Sequence, residues 1–277
     1  MDWSLIGKES RVACYPTGAT YYVTITTSTS ANTKGNWVEL VASTPFDGYV
    51  DLTYGRFETK ADFLIDLAIG AVGSEIIIWS NLLFGSTTAS GYAMGAHLPI
   101  PIFIPAGTRI SARAQSTRVG VNYQYIGGVV CHEGGGFGIP TLLSTSYTYG
   151  ANTADSGGVQ LDPGGTVDTK GAWTEITASC AALKGILLAF SAIVSITRSG
   201  VNYWWHTDIG VGSAGNEQVL ILDYPLTCHP TPCAVMPRYS TFIPVSIPSG
   251  TRISARTACN VNTANTRTHD IIIYGFA

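Results

Sequence analysis

The chain has 277 residues and a net charge of −3, with only 12% charged residues against 45% hydrophobic ones. About 25% charged residues is usual for a globular protein, so this chain is folded, and it lacks the bulk charge that draws proteins to nucleic acid or anionic membranes. So few charges do little to keep a free monomer soluble, and part of the uncharged polar surface is expected to be covered by other subunits; a neutral monomer with a Ser/Thr-rich surface is the alternative.

The amino terminus, Met1 to Lys8, has neither a basic region nor an apolar stretch, so no secretory signal is expected. Tyr21 to Thr27 and Phe63 to Ile69 alternate with period two and are rich in β-branched and aromatic residues, which predicts strands. Similar short runs recur with Gly, Pro, Asn or Ser between them, and no helical periodicity is evident. Ile104 to Gly107 reads as a turn with proline at its second position. In the strand after it, Ile110 and Ala112 face the core, while Arg109, Ser111 and Arg113 face solvent or another subunit.

His132 and Glu133 are followed by Gly134 to Pro140, too glycine-rich for a strand or helix. That stretch divides the chain into a first domain (1–133), a linker (134–140) and a second domain (141–277). The two halves repeat one another. Ile104-Pro-Ala-Gly-Thr-Arg-Ile-Ser-Ala-Arg113 returns as Ile247-Pro-Ser-Gly-Thr-Arg-Ile-Ser-Ala-Arg256, nine of ten residues matching at a spacing of 143 (104 to 247). Thr33 to Ser43 resembles Thr169 to Ser179 at a spacing of 136 (33 to 169). Between them, Ile69-Gly70 aligns with Ile209-Gly210 at 140 (69 to 209), and Gly73-Ser-Glu75 with Gly215-Asn-Glu217 at 142 (73 to 215). The predicted fold is all-β: two tandem antiparallel β-sandwich domains of jelly-roll type, with an immunoglobulin-like sandwich as the alternative.

The second half holds the apolar run Ile186 to Ile196, too short for a membrane-spanning helix and read as a strand. Arg252 and Arg256 repeat the outward assignment of Arg109 and Arg113, and these four arginines form a candidate subunit-contact face. Gly210 to Gly215 matches a dinucleotide-loop pattern, but a strand-like run follows where a helix would be needed, so it reads as a turn. None of the five histidines (His97, His132, His206, His229, His269) sits in a metal-binding pattern. Cys131-His132 and His269-Asp270 would point to opposite faces of a strand. No metal, cofactor or catalytic motif is expected, and the chain is read as non-enzymatic. The six cysteines are expected to be mainly buried free thiols, with Cys228 and Cys233 as the local disulfide candidates.

At the 140 spacing, Phe63 to Ala68 becomes Tyr203-Trp-Trp-His-Thr-Asp208. Trp204, His206 and Asp208 share one strand face, an aromatic plate beside hydrogen-bonding groups. Sugars need that combination, because their apolar faces stack on indole and their hydroxyls need fixed partners. Packing of Trp204 in a second core or a subunit contact is the other reading of the same residues.

The paired Ile-Pro-x-Gly-Thr-Arg-Ile-Ser-Ala-Arg segments, the tandem β-domains, the missing signal and the low charge together resemble accessory structural proteins of tailed bacteriophage particles: capsid decoration proteins, fibres, spikes and tail adaptors. The resemblance implies a virion component assembled in the host cytoplasm. Its expected partners are copies of itself and other virion proteins, with no nucleic acid and no membrane insertion. The competing expectation is a glycan-binding adhesin or lectin that recognises a host surface, with Trp204, His206 and Asp208 as its contacts.

Overall fold

A computed structural model describes residues 11–16, 22–57, 61–86, 92–120, 123–133, 143–192, 203–228, 235–261 and 268–277. The linker at 134–140 and the Cys228–Cys233 pairing lie outside the described residues. The first domain contains β1 (Val12–Tyr15), β2 (Val23–Thr26), β3 (Val38–Val41), β4 (Gly48–Phe57), β5 (Ala61–Ile69), β6 (Ile76–Ser86), β7 (Tyr92–Ile104), β8 (Ile110–Ser116) and β9 (Tyr123–Glu133). The second contains β10 (Ser146–Tyr149), β11 (Val159–Leu161), β12 (Thr174–Thr177), β13 (Leu183–Ala192), β14 (Tyr203–Val211), β15 (Gln218–Cys228), β16 (Val235–Tyr239), β17 (Ile243–Ile247), β18 (Ile253–Cys259) and β19 (His269–Phe276).

In each domain two antiparallel sheets face one another. The first pairs β1-β9-β4-β7, with β2 also on β9, against β3-β8-β5-β6. The second repeats the order, pairing β10-β19-β13-β16, with β11 on β19 and β17 on β13, against β12-β18-β14-β15. Apart from local pairs such as the hairpins β5-β6 and β14-β15, successive strands cross between the two sheets, a jelly-roll-like plan. Ile110, Ala112, Ile253 and Ala255 are buried in the cores, but β5, β8 and β18 are buried on both faces, so the expected outward positions are not simply exposed.

The register corrects one sequence alignment. Asp66 pairs with Arg113 and Asp208 with Arg256, so β5 and β14 superpose at 142 (66 to 208), not 140. Gly70 and Gly212 then coincide: both have positive φ (111° and 114°), and their amides donate to the carbonyls of Arg109 and Arg252. The Ile-Gly pair at 209–210 had suggested the wrong offset. The repeated Thr-Lys-Gly also has a physical cause, since a Cβ at Gly35 or Gly171 would lie 2.3 or 2.2 Å from the carbonyl oxygen of Thr26 or Asp162.

The domains pack directly on one another. The edge strand β6 of the first domain lies on the β10-β19-β13-β16 sheet, with Trp79 fully buried edge-on against Tyr274 and Phe276. An edge strand leaves backbone groups unpaired, and here the second domain supplies partners. Tyr274 Oη accepts from Leu83 N and donates to Asn81 O, both at 2.9 Å. Thr148 and Ser146 donate to the carbonyls of Ser80 and Ile78, and Tyr239 to that of Leu83. At the equivalent edge of the second domain, β15, the described residues supply no such set of hydrogen bonds. Leu222 is 67% exposed, and Pro225 stands in place of Leu83, removing the amide that would otherwise invite a partner strand.

Candidate functional site

The repeated arginines turn out to be internal clamps. Arg109 binds Glu39 (2.8 Å), Glu75 (3.2 Å) and the carbonyl of Gly70; Arg252 binds Glu175 (2.7 Å), Glu217 (3.0 Å) and the carbonyl of Gly212. Arg113 lies over Trp37 and binds Asp66 at 2.9 Å; Arg256 lies over Trp173 and binds Asp208 at 2.9 Å. These side chains leave the sandwich on its outer face, as expected, but their guanidiniums are spent on carboxylates and indoles of their own domain. The four arginines expected at a subunit-contact face, Arg109, Arg113, Arg252 and Arg256, thus have their charge offset by carboxylates of their own domain. Ser111 and Ser254, on the same face, are fully buried rather than exposed.

Each clamp is completed by a lysine. Lys34 Nζ binds Asp66 (2.8 Å) and the carbonyl of Leu64; Lys170 Nζ binds Asp208 (2.6 Å) and the carbonyl of His206. A bulge in the neighbouring strand puts Asn81 and Asp223 at positive φ (54° and 55°), which aims their amides at the same two carboxylates. Burial works to raise the Asp208 carboxyl, but Lys170, the Asp223 amide and Arg256 together hold it below the usual carboxylate range. In the first domain burial pushes the Lys34 ammonium down, against the opposing pull of Asp66.

The domains part company around this shared frame. In the second, Asp168, Lys170, Trp204, His206, Asp223, Ala258 and Asn260 line an open pocket of about 450 Å³, within the usual range for small ligands. Trp204 is 54% exposed and His206 is exposed, whereas their neighbours Trp205 and Thr207 are buried in the core. The strand-face assignment therefore brings Trp204 and His206 together. It fails for Asp208, which is fully buried beneath Lys170 and Arg256 and does not line the pocket. Asp208 positions Lys170; the exposed carboxylates are Asp168 and Asp223. Those two arrive from a loop and from β15, far from residue 204 in sequence, and no local signal marked them.

In the first domain the corresponding patch is closed. The residues matching Asp168, Ala258 and Asn260 are Asn32, Gln115 and Thr117, at spacings of 136 (32 to 168), 143 (115 to 258) and 143 (117 to 260). The second domain's loop at 152–156 sits on them. Asn32 Nδ2 donates to Ala154 O (2.5 Å), Ser156 Oγ donates to Asn32 Oδ1 (2.8 Å), and Gln115 Nε2 donates to Thr153 O (2.8 Å) and Ser156 Oγ (3.0 Å). Ser156 is fully buried there. Asp62 and Leu64, which stand where Trp204 and His206 stand, are buried as well.

A larger cavity of about 790 Å³ lies beside this loop, lined by Asn152, Asp155, Gly158 and Asp270 among others. It has no aromatic wall, and its polar groups are tied to one another: Asn152 to Asp155, Asp155 to the amide of Gly157, and Asp270 to the amide of Gly158. The remaining described histidines are structural. His132 bonds Asp51 at 3.0 Å and stacks on Tyr49, while Cys131 beside it faces the core. His269 is buried between Phe190 and Trp205 and contacts Thr207. The side chains of His97 and His229 lie outside the described residues. Cys131, Cys180 and Cys259 are buried free thiols, and Cys14 is an exposed one.

No family matches the chain and no curated protein matches it. Among solved structures the chain is similar to a peptide-N(4)-(N-acetyl-beta-D-glucosaminyl) asparagine amidase at 11% identity, covering 92% of this chain and 96% of that one with a TM-score of 0.42. It is also similar to the CBM22-1–CBM22-2 tandem of Paenibacillus barcinonensis Xyn10C at 9% identity, covering 97% and 91% with a TM-score of 0.27. At these levels the likeness concerns the β-sandwich fold alone. The expectation that the chain is non-enzymatic is withdrawn, and a likeness at this level assigns the chain no activity.

Proposed function

We propose that the second domain binds a saccharide in the Trp204 pocket. The observation that carries this reading is the half-exposed indole of Trp204 set beside Asp168 and His206, whose side chains make no hydrogen bond with the described residues. An indole offers the apolar face of a sugar ring a surface to stack on, and the carboxylate and imidazole offer its hydroxyls partners. The frame beneath is rigid: Lys170 and Arg256 are locked on Asp208, and Asn260 accepts the backbone amide of Trp204 at 2.9 Å. A virion setting, in which the sugar would be a host-surface glycan, is carried forward as a separate proposal that co-purification with assembled particles tests.

The test is a glycan-array screen followed by calorimetric titration of the intact chain, Trp204→Ala and His206→Ala, with product release monitored in the same samples. The expected result is saccharide binding that Trp204→Ala weakens at least about tenfold, as loss of a central aromatic contact does. Binding that both variants leave unchanged, or the absence of any saccharide ligand, overturns the reading.

A further inference from the structure

Because the two domains share one frame, the loop that closes the first domain's patch serves as a template for what the second domain's pocket accepts. In the first domain the amide of Asn32 plays two roles, receiving the Ser156 hydroxyl proton and donating to a carbonyl, while Gln115 donates twice. In the second domain those two donors are gone, and the lining amide of Asn260 stands in place of Thr117. Asp168 replaces Asn32 and can only accept; Ala258 replaces Gln115 and offers no polar group while opening room. The backbone at this position is unchanged, with φ of 54° at Asn32 and 53° at Asp168.

The one ammonium in the pocket does not restore a donor. Lys170 has three N–H groups, and three acceptors surround it: Asp208 (2.6 Å), Asp223 (2.7 Å) and the carbonyl of His206 (2.8 Å). In the first domain Asn81 stands where Asp223 stands, so the second acid on the lysine is particular to the open pocket. Lys170 and Arg256 are balanced by Asp208 and Asp223, which leaves the Asp168 carboxylate as the pocket's unbalanced charge.

We propose that the pocket selects uncharged saccharides, taking a hydroxyl as donor to Asp168 where Ser156 donates to Asn32 in the other domain, and that it rejects uronic, sialylated and sulfated sugars. This rests on the saccharide reading above. Among the described residues that line the pocket, none is a free cation that would offset the repulsion between Asp168 and a ligand carboxylate or sulfate.

The experiment titrates the intact chain with neutral oligosaccharides (cello-, xylo-, manno- and chito-oligomers) and with acidic ones (oligogalacturonate, sialyllactose, a sulfated disaccharide), then repeats both series on Asp168→Asn. The expected result is a neutral ligand bound at least about tenfold more tightly than any acidic one, with the gap narrowed in Asp168→Asn because the carboxylate repulsion is gone. Asp168 makes no side-chain hydrogen bond with described residues and Asn occurs at the matching position, so the variant is expected to melt with the parent chain. Acidic sugars bound as tightly as neutral ones, or a gap unchanged in Asp168→Asn, overturn the selectivity while leaving the saccharide reading in place. No binding in either series overturns both.

Discussion

The patch around Asn32, Gln115 and Thr117 in the first domain and the patch around Asp168, Ala258 and Asn260 in the second are built on the same lysine, aspartate, arginine and tryptophan. One is closed by the loop 152–156 and the other is open. The contrast extends to the strand edges: β6 is covered by the second domain, while β15 has no such cover among the described residues and is blunted by Pro225. One of the two like surfaces is buried at the junction, and the other carries Trp204 and His206. The first domain's surface now works for stability, and the second domain's is available for a ligand.

The strongest way to break this comparison is Trp79→Ala. Removing a fully buried indole from the junction is expected to cost about 4 kcal/mol and to split the unfolding transition in two. At Ile221, the matching position on the uncovered edge, Ala is expected to cost about 1 kcal/mol or less by the same urea titration. Similar costs at the two sites would mean that the junction does not couple the domains.

Next in size are Asp66→Ala, which strands Lys34 and Arg113, and Asp208→Ala, which strands Arg256 and leaves Lys170 with Asp223. About 3 kcal/mol is expected for each, the lower end for a buried ion pair because the cations are partly exposed. Equal destabilisation would establish the clamps as the same structural part. Only Asp208→Ala is then expected to alter binding at the pocket, because Lys170 would be released from Asp208 there.

Gln115→Ala removes two hydrogen bonds to the closing loop and is expected to cost about 1–2 kcal/mol, with faster hydrogen exchange across 152–156. Unchanged exchange there would mean that the loop is held by its own turn and that the closed patch is not its seat.

A further effect is one of pH. Burial lowers His269 to about 3 and raises Asp270, which anchors the loop through the amide of Gly158, to about 6. His269 is neutral when folded but takes a proton near 6.5 when unfolded, so acidification from there towards 3 favours unfolding. Asp270 takes its proton near 6 when folded and near 3.9 when unfolded, so acidification through that window favours folding. The two oppose one another, and Asp270→Asn leaves the histidine alone. Its urea midpoint is expected to fall more steeply than the parent's between about pH 6 and about pH 4. Parallel midpoints would show that Asp270 is not protonated in the folded chain.

The sequence disclosed more of the frame than of the site. The segments that repeat, Lys34 to Glu39, Gly73 to Glu75 and Arg109 to Arg113, are one another's partners in space, since Arg109 takes Glu39 and Glu75 while Arg113 takes Trp37. Their likeness was visible because both domains need the same clamp; their pairing was not, because it depends on which strands lie side by side. The exposure of Trp204 and His206 beside a buried Trp205 followed from strand alternation, which is a property of neighbouring residues.

Sequence by itself thus determined the duplication, the all-β jelly-roll plan, the inward faces and the aromatic strand, each of which is written in local order or in the likeness of two segments. Only the tertiary structure decided that the register is 142 and not 140, that Asp208 lies beneath the lysine, that the arginines are spent inside their own domain, and that Asp168 and Asp223 converge on Trp204. It also decided that a loop of one domain closes the patch of the other. Those facts depend on inter-strand hydrogen bonding and on contacts between residues distant in sequence, and periodicity along a single strand carries no record of either.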